Sequence, residues 1–261
     1  MKPIKNVLIC TDFSQESNNA LIYGVYLAEK IGANTTILYV QTESSPPVEI
    51  IEENFDKIRH DILFLAKENY EFLHRQGEIA PTVQEVIRER NIDLTVVGMK
   101  PISSHKEMLS GSITASLIER PCSALLSVPG KSKYLGMTHI GVATDGSEPT
   151  SDAMEVLTDL GQKMESKVSV FHVQKKSVPE IAEVEMRSKF EGLLGELFTG
   201  FEDVDGENIV SALSTYANDH NIDLLTVLHH CGGEVKNPLR RSVSKQLAFR
   251  TRMPLLILPV V

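Results

Sequence analysis

Val7-Leu8-Ile9-Cys10-Thr11-Asp12-Phe13-Ser14 is the stretch that decides the fold. Four consecutive apolar residues describe a strand covered on both faces, as the strands of a parallel sheet are. The strand gives way at once to Thr, Asp and Ser. Ser14 can cap a helix, and Ala20, Leu21, Val25, Leu27 and Ala28 then fall near helical spacing before Gly32 closes it. A strand, a short polar turn and an amphipathic helix make the first part of a βαβ unit.

The same signature returns later in the chain. Thr144-Asp145-Gly146-Ser147 repeats Thr11-Asp12-Phe13-Ser14 at an offset of 133, which also pairs Ala20 with Ala153, Leu27 with Leu160, Lys30 with Lys163, and Val40-Gln41 with Val173-Gln174. Asn91-Ile92-Asp93-Leu94 returns as Asn221-Ile222-Asp223-Leu224 at an offset of 130, which pairs Ser112 with Ser242, Leu117 with Leu247, Arg120 with Arg250 and Pro129 with Pro259. The period is far too long for a solenoid, so the chain is a duplicated domain. The polar stretch Gly130-Lys131-Ser132-Lys133 separates domains 1–130 and 137–261.

In each half, short apolar runs alternate with longer amphipathic ones. Thr36–Val40, Leu94–Val97 and Ala124–Val128 read as further strands, with a short one around Tyr70–Leu73. Helices are expected after Pro47 through Ile62 and on to Ala66, from Pro81 to about Arg90, and over Ser112–Arg120. The second half offers strands at Ile140–Ala143, Val168–Val173, Leu224–Leu228 and Leu255–Leu258. Right-handed crossovers from a first strand in the interior predict α/β architecture: two tandem doubly wound domains, each a five-stranded parallel sheet of order 3-2-1-4-5.

Composition narrows the function. The 261 residues carry 26 Lys plus Arg against 35 Asp plus Glu, a net charge of −9, which disfavours a nucleic-acid backbone or an anionic membrane as partner. The chain has no Trp and 6% aromatic residues, a poor base-stacking platform for single strands. Three widely separated cysteines, Cys10, Cys122 and Cys231, form neither a disulfide framework nor a zinc ribbon and fit a reducing cytoplasm. Cys10 and Cys122 read as small buried apolar residues, and Cys231 as the exposed one. The first apolar run is too short for a signal peptide, and no run reaches the ~20 residues of a membrane span.

Ligands of an open α/β sheet sit outside the carboxyl ends of the strands. Those ends present Asp12, Val40-Gln41 and Gly98, while Gly111-Ser112 at a helix start offers N–H groups to a phosphate. The structural alternative is that Asp12 and Ser14 merely cap the first helix. In the second half His172, His229, His230 and Cys231 gather near strand ends and could ligate zinc. Adjacent residues of an extended chain point to opposite sides, however, and hydrogen-bonded histidines are the simpler reading. Lys236, Arg240, Arg241, Lys245 and Arg250 form a basic cluster that reads as a solvated helix start. No G-x4-G-K-[S/T] loop and no G-x-S-x-G elbow occurs, so no enzyme class is indicated.

Together these residues resemble the universal stress proteins. Nucleotide-binding members of that family carry G-x2-G-x9-G-[S/T] between the fourth strand and the last helix, with an Asp after the first strand and a Val ending the second. Gly98, two residues, Pro101, nine residues, then Gly111-Ser112 reproduce this spacing, with Asp12 and Val40 in the Asp and Val places. The resemblance implies an adenine nucleotide alpha hydrolase-like fold. It also implies a cytoplasmic regulator that binds ATP or a related adenine nucleotide, with no metal beyond a nucleotide-associated Mg. Asp12 and Val40 would meet the base, Gly98 the ribose, and Gly111, Ser112 and Thr114 the phosphates.

Pro101 departs from the pattern, because it fixes φ and lacks an N–H. In the second half the three glycine places hold Leu228, Cys231 and Arg241, although Asp145 and Ser242 remain, so a phosphate cradle is expected in the first half alone. The alternative function is a stress-response interaction protein that uses no nucleotide and acts on protein partners through its surfaces. The family also implies that the fifth strands, 124–128 and 255–258, pair the halves as an intramolecular pseudo-dimer, with a further homodimer open.

Overall fold

A computed structural model describes residues 3–62, 70–99, 113–146, 149–174, 180–206, 208–230 and 238–260. The chain divides into two compact units, Ile4–Tyr134 and Leu135–Val261.

The first unit runs β1 (Asn6–Cys10), α1 (Gln15–Ile31), β2 (Asn34–Gln41), α2 (Val48–Asp61), β3 (Tyr70–Gln76), α3 (Ile79–Glu89), β4 (Leu94–Met99), α4 (Ile113–Glu119) and β5 (Ala124–Pro129). Its strands are parallel in the order β3-β2-β1-β4-β5. The second unit runs β6 (His139–Thr144), α5 (Ser151–Met164), β7 (Lys167–Gln174), α6 (Glu180–Leu194), β8 (Phe198–Asp205), α7 (Ile209–Asp219), β9 (Leu224–His230), α8 (Pro238–Arg250) and β10 (Leu255–Val260). Its order is β8-β7-β6-β9-β10. Each unit therefore has the 3-2-1-4-5 order. β3 is longer than the apolar pattern suggests, and α3 starts two residues before Pro81. Ile50 lies on the outer face of α2, with Ile51, Phe55 and Ile58 turned to the core.

Local chemistry explains the repeated motifs. Ser14 caps α1 by accepting the Ser17 N–H at 3.2 Å. Gly32 ends the helix at φ +70, and Ala33 N–H closes on the Ala28 carbonyl at 2.9 Å. At the matching place of α5, Glu165 adopts φ 55, and Ser166 N–H closes on Gly161 O at 2.8 Å. The Asn-Ile-Asp-Leu motif has a structural purpose in both copies. Asn91 and Asn221 take φ 50 and 52 just past a helix, where Asn is better tolerated than most residues, and Ile92 and Ile222 are buried. Asp93 Oδ2 accepts the N–H groups of Lys5 (2.9 Å) and Asn6 (3.1 Å), tying β4 to the start of β1. Asp223 Oδ2 accepts from Thr138 N–H (2.8 Å), Thr138 Oγ1 (2.9 Å) and His139 N–H (3.0 Å), tying β9 to β6 in the same way.

The fold corrects one cysteine assignment. Cys122 is exposed, because it falls in the turn between α4 and β5 and not on either element. Cys10 ends β1 and is half-buried, and desolvation of its thiol pushes it up to about 12.

Candidate functional site

The carboxyl edge of the first sheet is organised by the first turn of α1. Thr11, the residue after β1, is buried, and its N–H donates to Leu38 O of β2 at 2.9 Å. Its hydroxyl accepts from Phe13 N–H at 3.0 Å and lies 3.2 Å from Ser17 Oγ, which also accepts from Asp12 N–H at 3.3 Å. Asp12 itself is exposed, with its Oδ1 accepting Ser14 N–H at 3.0 Å. The loop thus satisfies the capping reading of Asp12 and Ser14 while setting a carboxylate at the mouth of the crevice.

Gly98 stands on β4 beneath the same helical turn. A Cβ there would lie 2.6 Å from Glu16 O, 2.8 Å from Glu16 C and 2.9 Å from Ser17 Cα, all backbone atoms. The glycine is therefore required by the packing of α1 on β4, whatever else it does. Ser17 touches both residues: its hydroxyl meets the Asp12 N–H, and its Cα presses on Gly98. Asp12, in the loop just past β1, and Gly98 of the adjacent strand β4 are thus brought together. Val40, near the end of β2 on the other side of β1, is 8% exposed and contributes apolar wall more than contact surface. Gly111 and Ser112 lie outside the described residues, as do Pro101 and the side chain of Thr114, whose backbone belongs to α4.

The sequence gives no warning of the aromatic stack beside this loop. Phe13 holds φ 62, and its ring lies flat on Tyr39, with centroids 4.7 Å apart and planes at 12°. Phe55 of α2 meets it edge-on at 5.5 Å. Phe72 of β3 continues the cluster 4.8 Å from Phe55, with the Arg59 guanidinium 4.5 Å above its centroid. Alternation along β2 could have placed Tyr39, but nothing in the string Thr-Asp-Phe-Ser announces a left-handed Phe.

The second unit's edge has different side chains. His172 of β7 brings Nδ1 to 3.2 Å from Asp203 Oδ1 on β8, and Gly146 follows β6 at φ +84. His229 of β9 is buried, with Nδ1 3.5 Å from Ser244 Oγ of α8. His172 and His229 are thus bonded to different neighbours. Among the described residues no group of three or more His, Cys, Asp or Glu could hold a metal ion. Cys231 and Lys236 lie outside the described residues, as do the side chains of His230, Arg240, Arg241 and Ser242.

Among the described residues no helix is long and apolar enough to cross a membrane.

Comparison with known proteins bears on the first unit most directly. The Universal stress protein family profile matches residues 3–127. Universal stress protein YxiE of Bacillus subtilis is 32% identical over 129 residues, covering 41% of this chain and 87% of that protein. A universal stress protein of Archaeoglobus fulgidus superposes over 98% of this chain and 97% of its own, at TM-score 0.76 and 17% identity. A functionally unknown protein of Pseudomonas aeruginosa superposes over 98% of this chain and 92% of its own, at TM-score 0.66 and 9% identity. The last two likenesses extend the shared fold across both units.

Proposed function

The chain belongs to the universal stress protein family, and from that premise we propose that it is a cytoplasmic regulator binding one adenine nucleotide, ATP or a relative, in its first unit. One observation carries the reading. Asp12 and Gly98 meet across Ser17 at the carboxyl edge of adjacent strands β1 and β4, which is where the chain order of the sheet reverses and ligands of doubly wound sheets lie. Asp12 and Val40 would hold the base and Gly98 would flank the ribose. Gly111, Ser112 and Thr114, which the family's spacing assigns to the phosphates, would complete the site. Any Mg would arrive with the nucleotide. In this role the protein binds and releases nucleotide.

The second reading, a nucleotide-free interaction protein, is favoured by Pro101, which lacks the N–H and the conformational freedom of the glycine it replaces. Mass spectrometry of material released on denaturing the purified protein distinguishes the two: a retained adenine nucleotide supports the first. Calorimetric titration with ATP then tests the site. The expected stoichiometry is one per chain. Ser112→Ala should weaken binding by on the order of 1 kcal/mol through loss of a hydroxyl contact, while Ser242→Ala leaves it unchanged. Two nucleotides per chain, or equal sensitivity to both variants, would overturn the assignment to the first unit.

A further inference from the structure

The duplication also matches the outer edge of one sheet to that of the other, and the third strand is bridged to the next helix differently in the two units. In the first, two ion pairs join β3 to α3. Arg75 Nη2 lies 3.2 Å from Glu89 Oε2, and the Arg90 guanidinium donates to Glu71 Oε2 and Oε1 at 2.7 and 3.1 Å. Sheet register identifies the counterparts on β8. Val40 lies opposite Arg75 and Val173 opposite Val204, while Thr36 lies opposite Glu71 and Ser169 opposite Gly200. The offset of 133 pairs Val40 with Val173 and Thr36 with Ser169, and the offset of 130 pairs Glu89 with Asp219 and Arg90 with His220. Both arginines and one acid are thus replaced in the second unit, and one carboxylate, that of Asp219, is kept.

With Arg75 replaced by Val204, the second unit has a groove of ≈ 390 Å³ between the end of β8 and α7, whose lining includes Val204, Ala212, Thr215, Tyr216, Asp219 and His220. Val204 has no side chain long enough to reach the last turn of α7. His220 is held to its own helix, with Nδ1 donating to Tyr216 O at 2.9 Å and its ring stacked on Tyr216 at a centroid distance of 3.9 Å. The Tyr216 hydroxyl hydrogen-bonds Glu202, which fastens α7 to β8 without supplying a cation. Asp219 is exposed, and among the described residues it forms no ion pair. The acceptor of the first unit's Arg75–Glu89 bridge therefore persists, while the chain's own guanidinium is gone.

We infer that this groove is a binding site for a small soluble alkylguanidinium, which takes in the second unit the place that the Arg75 side chain takes in the first. The guanidinium pairs with Asp219 as Arg75 pairs with Glu89, and its methylene stem lies along Val204 and Ala212. Thr215, exposed one helical turn before Asp219 and so on the same face of α7, offers its hydroxyl to a guanidinium N–H. Asp205 also lines the groove and no Lys or Arg is among its described lining residues, so an anion is repelled. The volume lies near the lower end of the range for small-molecule sites, which suits one such ligand.

The probe is n-butylguanidinium, with butyrate as its anionic counterpart and guanidinium ion as the head group without a stem. Titrated at low millimolar concentration into the intact labelled protein and followed by NMR, butylguanidinium should shift the Thr215 and Asp219 amide signals, and the shifts should saturate. Butyrate should leave them in place, and guanidinium ion should bind about tenfold more weakly because it buries no methylene groups. Asp219→Asn should weaken butylguanidinium binding about fivefold, as expected for an exposed ion pair. Val204→Arg, which restores the first unit's arrangement, should fill the groove and abolish binding. Arg75→Val should open the counterpart groove, read as new saturable shifts at Glu89. Should Val204→Arg fail to fold, Asp219→Asn at its exposed position still decides the matter. No saturable shift at Asp219, equal shifts with butyrate, guanidinium ion binding as tightly as butylguanidinium, or undiminished binding in either second-unit variant would overturn the inference.

Discussion

Replacing Gly98 by Ala adds one methyl group at the most crowded point of the first unit. Its carbon would stand 2.6 Å from Glu16 O, 2.8 Å from Glu16 C and 2.9 Å from Ser17 Cα, where an undisturbed contact needs about 3.5 Å. All three are backbone atoms, so no rotamer change can relieve the overlap, and the start of α1 must retreat from β4 by roughly 0.6–0.9 Å. That helix buries Ala20, Leu21, Leu27 and Ala28, so the retreat disturbs a close-packed face. A loss of about 1–3 kcal/mol is expected from overpacking of this kind. Urea unfolding followed by far-UV circular dichroism measures the loss, and amide exchange in α1 assigns it to the first unit. Stability within about 0.5 kcal/mol of the parent, with α1 protection unchanged, would refute the packing argument. The variant would then become a clean probe of Gly98 in nucleotide binding, which on the present geometry it is not.

Four further outcomes follow from the same structure. Glu165→Gly should stabilise the second unit by about 0.5–1 kcal/mol, because Glu165 holds φ 55 where the first unit uses Gly32; a thermal melt showing no gain would remove the strain. Asp93→Ala and Asp223→Ala should each destabilise by about 1 kcal/mol in urea, since each removes hydrogen bonds from exposed and part-buried backbone donors that now share one carboxylate oxygen. Iodoacetamide at pH 8, with peptide mapping, should label exposed Cys122 and spare half-buried Cys10, whose thiol stays protonated at a pKa of about 12; labelling of native Cys10 would contradict the desolvation of its thiol. The Glu71 carboxyl, hydrogen-bonded to the Arg90 guanidinium, should titrate below the ordinary glutamate range and move up in Arg90→Gln. Because its folded pKa is depressed, whatever stability the pair contributes is present above the ordinary range and is lost as pH falls through the lower folded value.

The duplication, the strand order and most element positions can be read from the string, because apolar strands buried on both faces and capped helices leave strong local patterns. Val7–Cys10 and Ser14 are examples. β8 leaves none: in Phe-Thr-Gly-Phe-Glu-Asp-Val-Asp only Phe201 is buried, since an edge strand faces water along much of its length. Without β8 there is no register, and without register the contact between His172 and Asp203, 31 residues apart, has no sequence signal. The exposure of Cys122 escapes the sequence for a related reason. Burial depends on whether a residue falls within an element or in the turn just before it, and local hydrophobicity does not fix that boundary. Asn-Ile-Asp-Leu shows the opposite limit, since its recurrence is plain in the sequence but its purpose, a carboxylate clamping the neighbouring strand, appears only in three dimensions.

That clamp separates what the duplication has kept from what it has altered. Asp93 and Asp223, the left-handed Asn91 and Asn221, and the Thr11 and Thr144 hydroxyls that hold the first loops are the same in both units, and each satisfies backbone donors or ends a helix. The changes fall on side chains that this shared backbone presents to the crevice: Phe13 against Gly146, Tyr39 against His172, His74 against Asp203. Substitutions there leave the loop's hydrogen bonds in place, so the two crevices can differ in chemistry on one scaffold. The reciprocal exchange of Phe13 and Gly146 tests this separation. If the scaffold is independent of these side chains, Phe13→Gly and Gly146→Phe should each retain the N–H to Thr hydroxyl bond, visible as protected amides at residues 13 and 146. Loss of that protection in either variant would show that the side chain at this position helps to shape the loop.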